Sequence, residues 1–119
     1  MSNEVTLPWP PKELSPNARL HWTKTAPIKK AYRLDCFLLA KQAKLKADWE
    51  GDIVLWLDFY PPNRRHRDDD NLVAAFKAGR DGLADALGVD DKRFRVLPFV
   101  RDEIGGMVKV RLTPGPEAA

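Results

Sequence analysis

The sequence predicts one α/β domain, with about four strands and two main helices in the order β-α-β-α-β-β. Three observations carry that expectation. Residues 53–60 alternate as a strand does and are apolar on both faces at their start, as befits an internal strand. Stretches on either side of it repeat their apolar residues at three-to-four spacing, the period of a helix. Two further strand-like stretches, 94–101 and 107–112, follow the second helix.

The 119 residues fit a single domain over 1–113, with a Pro/Gly/Ala-rich tail at 114–119 expected to fray. A hydrophobic share of 44% beside 31% charge can bury a core and excludes a disordered chain. No apolar run reaches the length of about 18 residues that a membrane span needs. The opening Met1-Ser2-Asn3-Glu4-Val5 lacks the layout of a signal peptide. A cytoplasmic protein with no membrane partner is expected. The single cysteine, Cys36, allows no internal disulfide, fits a reducing compartment, and falls in an apolar helical run as a small core residue.

In chain order, residues 4–7 form a strand that Pro8-Trp9-Pro10-Pro11 ends, because proline cannot donate to a sheet ladder. A loop runs to Trp22, and Trp9 and Trp22 are read as packing residues. Thr25 is the expected N-cap of a helix reaching about Ala47, with Pro27 in its first turn. Tyr32, Cys36, Leu39, Ala40 and Ala43 should face the core. Lys30, Arg33, Phe37, Lys41 and Lys44 make a second row, either a solvated face or a basic ridge against phosphates. Pro61-Pro62 stops the strand at 53–60. In the second helix Leu72, Phe76, Gly79, Leu83, Ala86 and Leu87 form the buried face, and Gly88 is a natural C′ residue. Gly79 and Gly82 each cost about 1 kcal/mol relative to alanine. That cost is tolerable where another backbone packs closely or the helix bends. The last two strands are expected as a hairpin joined by a loop at 102–106.

The chemistry-bearing stretch is Asn63-Arg64-Arg65-His66-Arg67-Asp68-Asp69-Asp70-Asn71-Leu72, three arginines running into three aspartates that open the second helix. Phosphodiester hydrolysis needs both groups: cations to dock the backbone, and hard oxygen ligands for Mg²⁺. Aspartates at a helix start are also ordinary caps, so alone they decide little. Asp90 and Asp91, beyond the C-terminus of that helix, have no capping task there; a turn preference of aspartate is the competing explanation. His66 could serve as a general acid, although a histidine among arginines is more often a plain contact. Net charge is +3, yet residues 19–46 hold eight Lys/Arg and one acid, Asp35, a local +7 that suits a polyanion partner. Arg19 could join such a contact. A straight helix from Asp70 to Leu87 is about 26 Å long, which separates the two acidic groups. They meet if the helix breaks at Gly79 or Gly82. They also meet if two protomers cross antiparallel at those glycines, the favoured arrangement because a break would forfeit helix bonds that Leu72, Phe76, Leu83 and Leu87 are patterned to keep. There is no CxxC, GxGxxG or P-loop, and two histidines are too few for a histidine-based metal site.

Leu7-Pro8-Trp9-Pro10-Pro11, the arginine loop, Asp68-x-Asp70-Asn71-Leu72 opening a helix, and the later Asp90-Asp91 together resemble the RusA family of Holliday-junction resolvases over nearly the whole chain. The resemblance implies a homodimeric endodeoxyribonuclease, often carried by phages, that nicks symmetric strands of a four-way junction with Mg²⁺ or Mn²⁺. By that resemblance Asp68, Asp70 and Asp91 match the catalytic acids, and with Asp90 they are the expected metal ligands. Arg19, Lys30, Arg33, Arg64, Arg65, Arg67 and Lys77 are the expected DNA contacts. The family's lysine, four residues after the second aspartate of the motif, is Ala74 here. Ala74 favours the alternative of a junction-binding module with weakened catalysis. Lys77, one helical stretch past Asp70, is expected to assist a neighbouring phosphate or to pair with Asp81.

Overall fold

A computed structural model of the chain describes residues 3–64 and 69–115. Its four strands are β1 (Glu4–Pro8), β2 (Ile53–Tyr60), β3 (Phe94–Val100) and β4 (Met107–Pro114). They form one mixed sheet in the spatial order β1-β4-β2-β3. The helices are α1 (Trp22–Gln42), α2 (Asp69–Ala75) and α3 (Lys77–Leu87), with 3₁₀ turns at Lys12–Leu14, Pro16–Ala18 and Asp91–Arg93. The α/β class and the element order follow the sequence expectation, apart from a division of the second helix.

β2 is internal. It pairs antiparallel with β4, Leu57 opposite Val110, and parallel with β3, Leu55 opposite Val96. Its two-residue repeat sends Ile53, Leu55, Leu57 and Phe59 to one face, where all four are buried. Val5 and Leu7 of β1 and Val108, Val110 and Leu112 of β4 extend that face. Tyr32, Cys36 and Ala40 of α1, and Leu83 and Ala84 of α3, cover it. Phe76 stands edge-on to both Phe59 and Tyr32, at centroid distances of 6.1 and 6.3 Å. Tyr32 donates its hydroxyl to the Pro8 carbonyl at 2.6 Å, so its polar end is satisfied. Burial pushes the Cys36 thiol up to about 12, which leaves it an inert core group.

The structure corrects five local expectations. α1 begins at Trp22 rather than after Thr25, because the His21 imidazole Nδ1 accepts from the Thr23 N–H at 3.2 Å and caps it. Its end is at Gln42, short of Ala47, where Ala43 and the left-handed Lys44 (φ 59°) turn the chain; Ala43 is exposed. Trp22 is 70% exposed and packs in no core, whereas Trp9 does lie edge-on to Phe59. β3 and β4 are not a hairpin. The segment between them crosses the end of β2, where Arg101, Gly105 and Gly106 donate to the carbonyls of Phe59, Pro61 and Tyr60, and this delivers β4 to the far edge of β2. Lastly, the second helix divides at Phe76 (φ −84°, ψ −1°), not at a glycine.

The glycines serve close packing instead. A Cβ at Gly82 would collide with the Arg33 carbonyl oxygen and come within 3.1 Å of Phe37 N. α3 thus lies backbone-to-backbone on α1 of the same chain. That contact uses the surface expected for a glycine crossing between protomers.

Candidate functional site

The start of the site lies partly outside the described residues, which do not include Arg65, His66, Arg67 and Asp68. Arg64 is exposed at the near end of that segment. Asp70 is exposed in the first turn of α2. Arg19 is exposed and left-handed (φ 50°), and it closes the turn that precedes α1.

The second acidic group is brought back by local chain reversal. Gly88 takes φ 67°, a conformation glycine adopts without strain, and the Val89 N–H reaches the Ala84 carbonyl at 3.1 Å. Asp90 then caps the following 3₁₀ turn, its carboxylate accepting from the Lys92 N–H at 2.9 Å. That hydrogen bond holds the Asp90 carboxyl below the usual carboxylate range. Asp90 therefore does have a capping task, contrary to the expectation from the α3 terminus alone, because a new turn begins where the helix ends. At the other end of the turn Arg93 donates to the carbonyls of Gly51 at 2.7 Å and Trp49 at 2.6 Å, fastening it to the entry of β2.

Fixed at both ends, the turn sets Asp91 against the flank of α3. Its Oδ2 lies 4.0 Å from Lys77 Nζ and 3.9 Å from Arg80 Nη2. Lys77 also pairs with Asp81, one turn on, at 3.3 Å. Two carboxylates therefore converge on one ammonium. The Nε of Arg80 is buried and has no hydrogen-bond partner among the described residues. Sequence inspection missed Arg80; its place three residues after Lys77 on one helix face was the available clue.

The basic row on α1 is not continuous. Arg33 donates to both Asp85 oxygens, at 2.7 and 2.9 Å, and so holds the Asp85 carboxyl below its ordinary value. Lys41 sits 5.9 Å from the Phe37 ring centroid, and Lys44 lies beyond the helix end. Lys29 and Lys30 remain without a hydrogen-bond or ion-pair partner among the described residues.

The donors available to a metal are carboxylate oxygens, which suit Mg²⁺ or Mn²⁺. Asp81 and Asp91 already share a cation, the Lys77 ammonium. No three acidic, histidine or cysteine side chains converge among the described residues. A full ligand set would draw on Asp68 or on a second copy of the chain. In chemistry the residues fit the ion, and in number one chain's described residues fall short.

Fold and site together define a mixed-sheet α/β domain with a mixed acid–cation cluster on the flank of its last helix. No family model matches the chain. An uncharacterized protein of Xylella fastidiosa (strain Temecula1 / ATCC 700964) is 47% identical over 114 residues, spanning 92% of this chain and 74% of that protein. The chain belongs to the family of that protein. The relative's description names no activity, so the kinship brings none with it. Among the described residues no helix is long and apolar enough to cross a membrane.

Proposed function

We propose that the chain is a RusA-like, divalent-metal-dependent endodeoxyribonuclease that nicks four-way junctions or other branched DNA and works as a homodimer in the cytoplasm. The observation that carries this reading is the return of Asp91 to the flank of the helix that follows Asp70. A carboxylate that served only the turn at Asp91–Arg93 would not need to face Lys77 and Arg80. Asp68, Asp70 and Asp91 would hold the metal, and Asp90 would act through the turn it caps. When bound, Mg²⁺ or Mn²⁺ supplies an activated water and offsets charge on the phosphorus and leaving oxygen. Lys77 and Arg80 orient Asp91 and lower the cost of bringing phosphate near three carboxylates. Arg64, Arg65 and Arg67 would grip the backbone beside the cut, with Arg19 and Lys30 further along, while Arg33 is already held by Asp85.

A second reading has specific support. Ala74 in place of the family lysine favours a module that binds junctions without cutting. A nicking assay on a synthetic four-way junction, with and without Mg²⁺, beside a gel shift in EDTA separates the two. Metal-dependent nicking supports the nuclease, and a shift with no nicking in any metal supports the module. Neither nicking nor shift overturns both.

A further inference from the structure

A cavity of about 420 Å³ opens between α1 and the α2–α3 pair. Leu14, Ala74, Ala75 and Ala78 give it an apolar lining, and Lys29, Lys30, Arg33 and Lys77 face one acid, Asp81, around it. The cations divide into two kinds. Arg33 and Lys77 are held by Asp85 and Asp81, so their charge is largely answered within the chain. Lys29 and Lys30 have no such partner among the described residues. A lone carboxylate is a poor metal site, and the lysines disfavour a wholly apolar guest. What fits is a ligand with a phosphate at one end and a flat apolar body at the other. The volume lies within the range of about 300–1,000 Å³ usual for small-molecule sites.

We propose that this cavity seats one unpaired nucleotide, its phosphate at Lys29 and Lys30 and its base on Leu14, Ala74, Ala75 and Ala78. The inference rests on the branched-DNA reading above and supplies what Ala74 is for. A small side chain there leaves room for a base, where a longer one would fill the cavity. Strands at a branch point can expose or extrude a nucleotide, and a preformed apolar seat offsets the cost of unstacking it.

The experiment is a titration of the isotope-labelled chain followed by backbone amide NMR, with dTMP, inorganic phosphate or an oligoglutamate peptide as probe. dTMP should shift the amides of Ala74, Ala75 and Ala78 together with those of Lys29 and Lys30, and inorganic phosphate should move the lysines alone. The double variant Lys29→Glu/Lys30→Glu changes two exposed groups with no ion-pair partner among the described residues and should retain the folded spectrum while losing the dTMP shifts. Ala74→Leu should lose the shifts at the alanines and keep those at the lysines. On a four-way junction the double variant should reduce the log–log salt slope by about 0.7, the value for one single-strand phosphate. dTMP should also compete with the junction. Phosphate and dTMP acting identically, no dTMP shifts, or the peptide binding in place of dTMP would each overturn the seat. dTMP binding without competition overturns its source in DNA. Nicking with unchanged KM and slope in the double variant sinks this inference, together with Lys30 as a backbone contact, and spares the nuclease. Competitive dTMP binding with no nicking of any branched DNA does the reverse.

Discussion

Asp91 stands 4.0 Å from Lys77 although the whole of α3 lies between them in the sequence. A helix cannot bring its own two ends together, so the reversal at Gly88 and the fastened turn after it achieve this contact. The carboxylate beyond the helix is thereby returned to the flank of α3 within one chain. Whatever Asp91 does, it does beside Lys77 and Arg80.

Asp90 is expected to behave as a cap. Asp90→Ser and Asp90→Asn retain a side-chain oxygen for the Lys92 N–H and should keep nicking close to wild type. Asp90→Ala should lower it by loosening the turn that holds Asp91. Equal loss in all three variants, measured as initial nicking rates, would make Asp90 a metal ligand instead.

If the chain is the proposed nuclease, Asp70→Asn should abolish nicking and leave junction binding intact or tighter, because it would remove a metal ligand and a negative charge near phosphate. Nicking at the wild-type rate would remove Asp70 from the site. Mixing Asp70→Asn chains with Asp91→Asn chains tests whether the site is shared. Single-strand nicking returns in confirmed heterodimers if two protomers supply the acids, and stays absent if one does.

Gly82→Ala should destabilise more than Gly79→Ala. At Gly82 the added methyl meets the Arg33 carbonyl of α1, which moves only with the helix. At Gly79 it meets Phe76 Cε1 at 2.7 Å and Tyr32 Cε2 at 3.0 Å, ring edges that can tilt. Overpacking of about 1–3 kcal/mol at Gly82 exceeds the helix-propensity gain of about 1 kcal/mol. Urea midpoints of the two variants check the ranking.

The Arg33–Asp85 pair should contribute about 0.2–1 kcal/mol, since both side chains are well exposed. Arg33 lowers the Asp85 carboxyl from its ordinary 3.8. A lowered native value means that the contribution is complete above 3.8 and fades as pH falls through the lower native value. A double-mutant cycle should show coupling at pH 7 that shrinks as pH falls below 3.8, with the pH 7 value declining in high salt.

The parts legible from sequence were those with a local period. β2 announced its internal place by being apolar on both sides, and the core faces of α1 and α3 followed helical spacing. The order of strands was not legible, because nothing local in residues 107–114 says that they pair with β1 and β2 rather than β3. The Phe76 break was hidden too, since the apolar repeat runs straight through it. Asp90 was misjudged because its cap belongs to a turn that exists only once Gly88 has reversed the chain. The arginine loop was the most conspicuous stretch, yet Arg65, Arg67 and Asp68 lie outside the described residues.

The place of β4 bears on how the chain is made. The last strand in sequence is inserted between the first and the second, so β1 has no sheet neighbour until residues 107–114 arrive. Until β4 pairs, the apolar face of β1 and one edge of β2 stay uncovered. Assembly of the sheet therefore depends on a long-range closure, the slow kind of contact, and a chain truncated just before Met107 should be a client for chaperones or proteases.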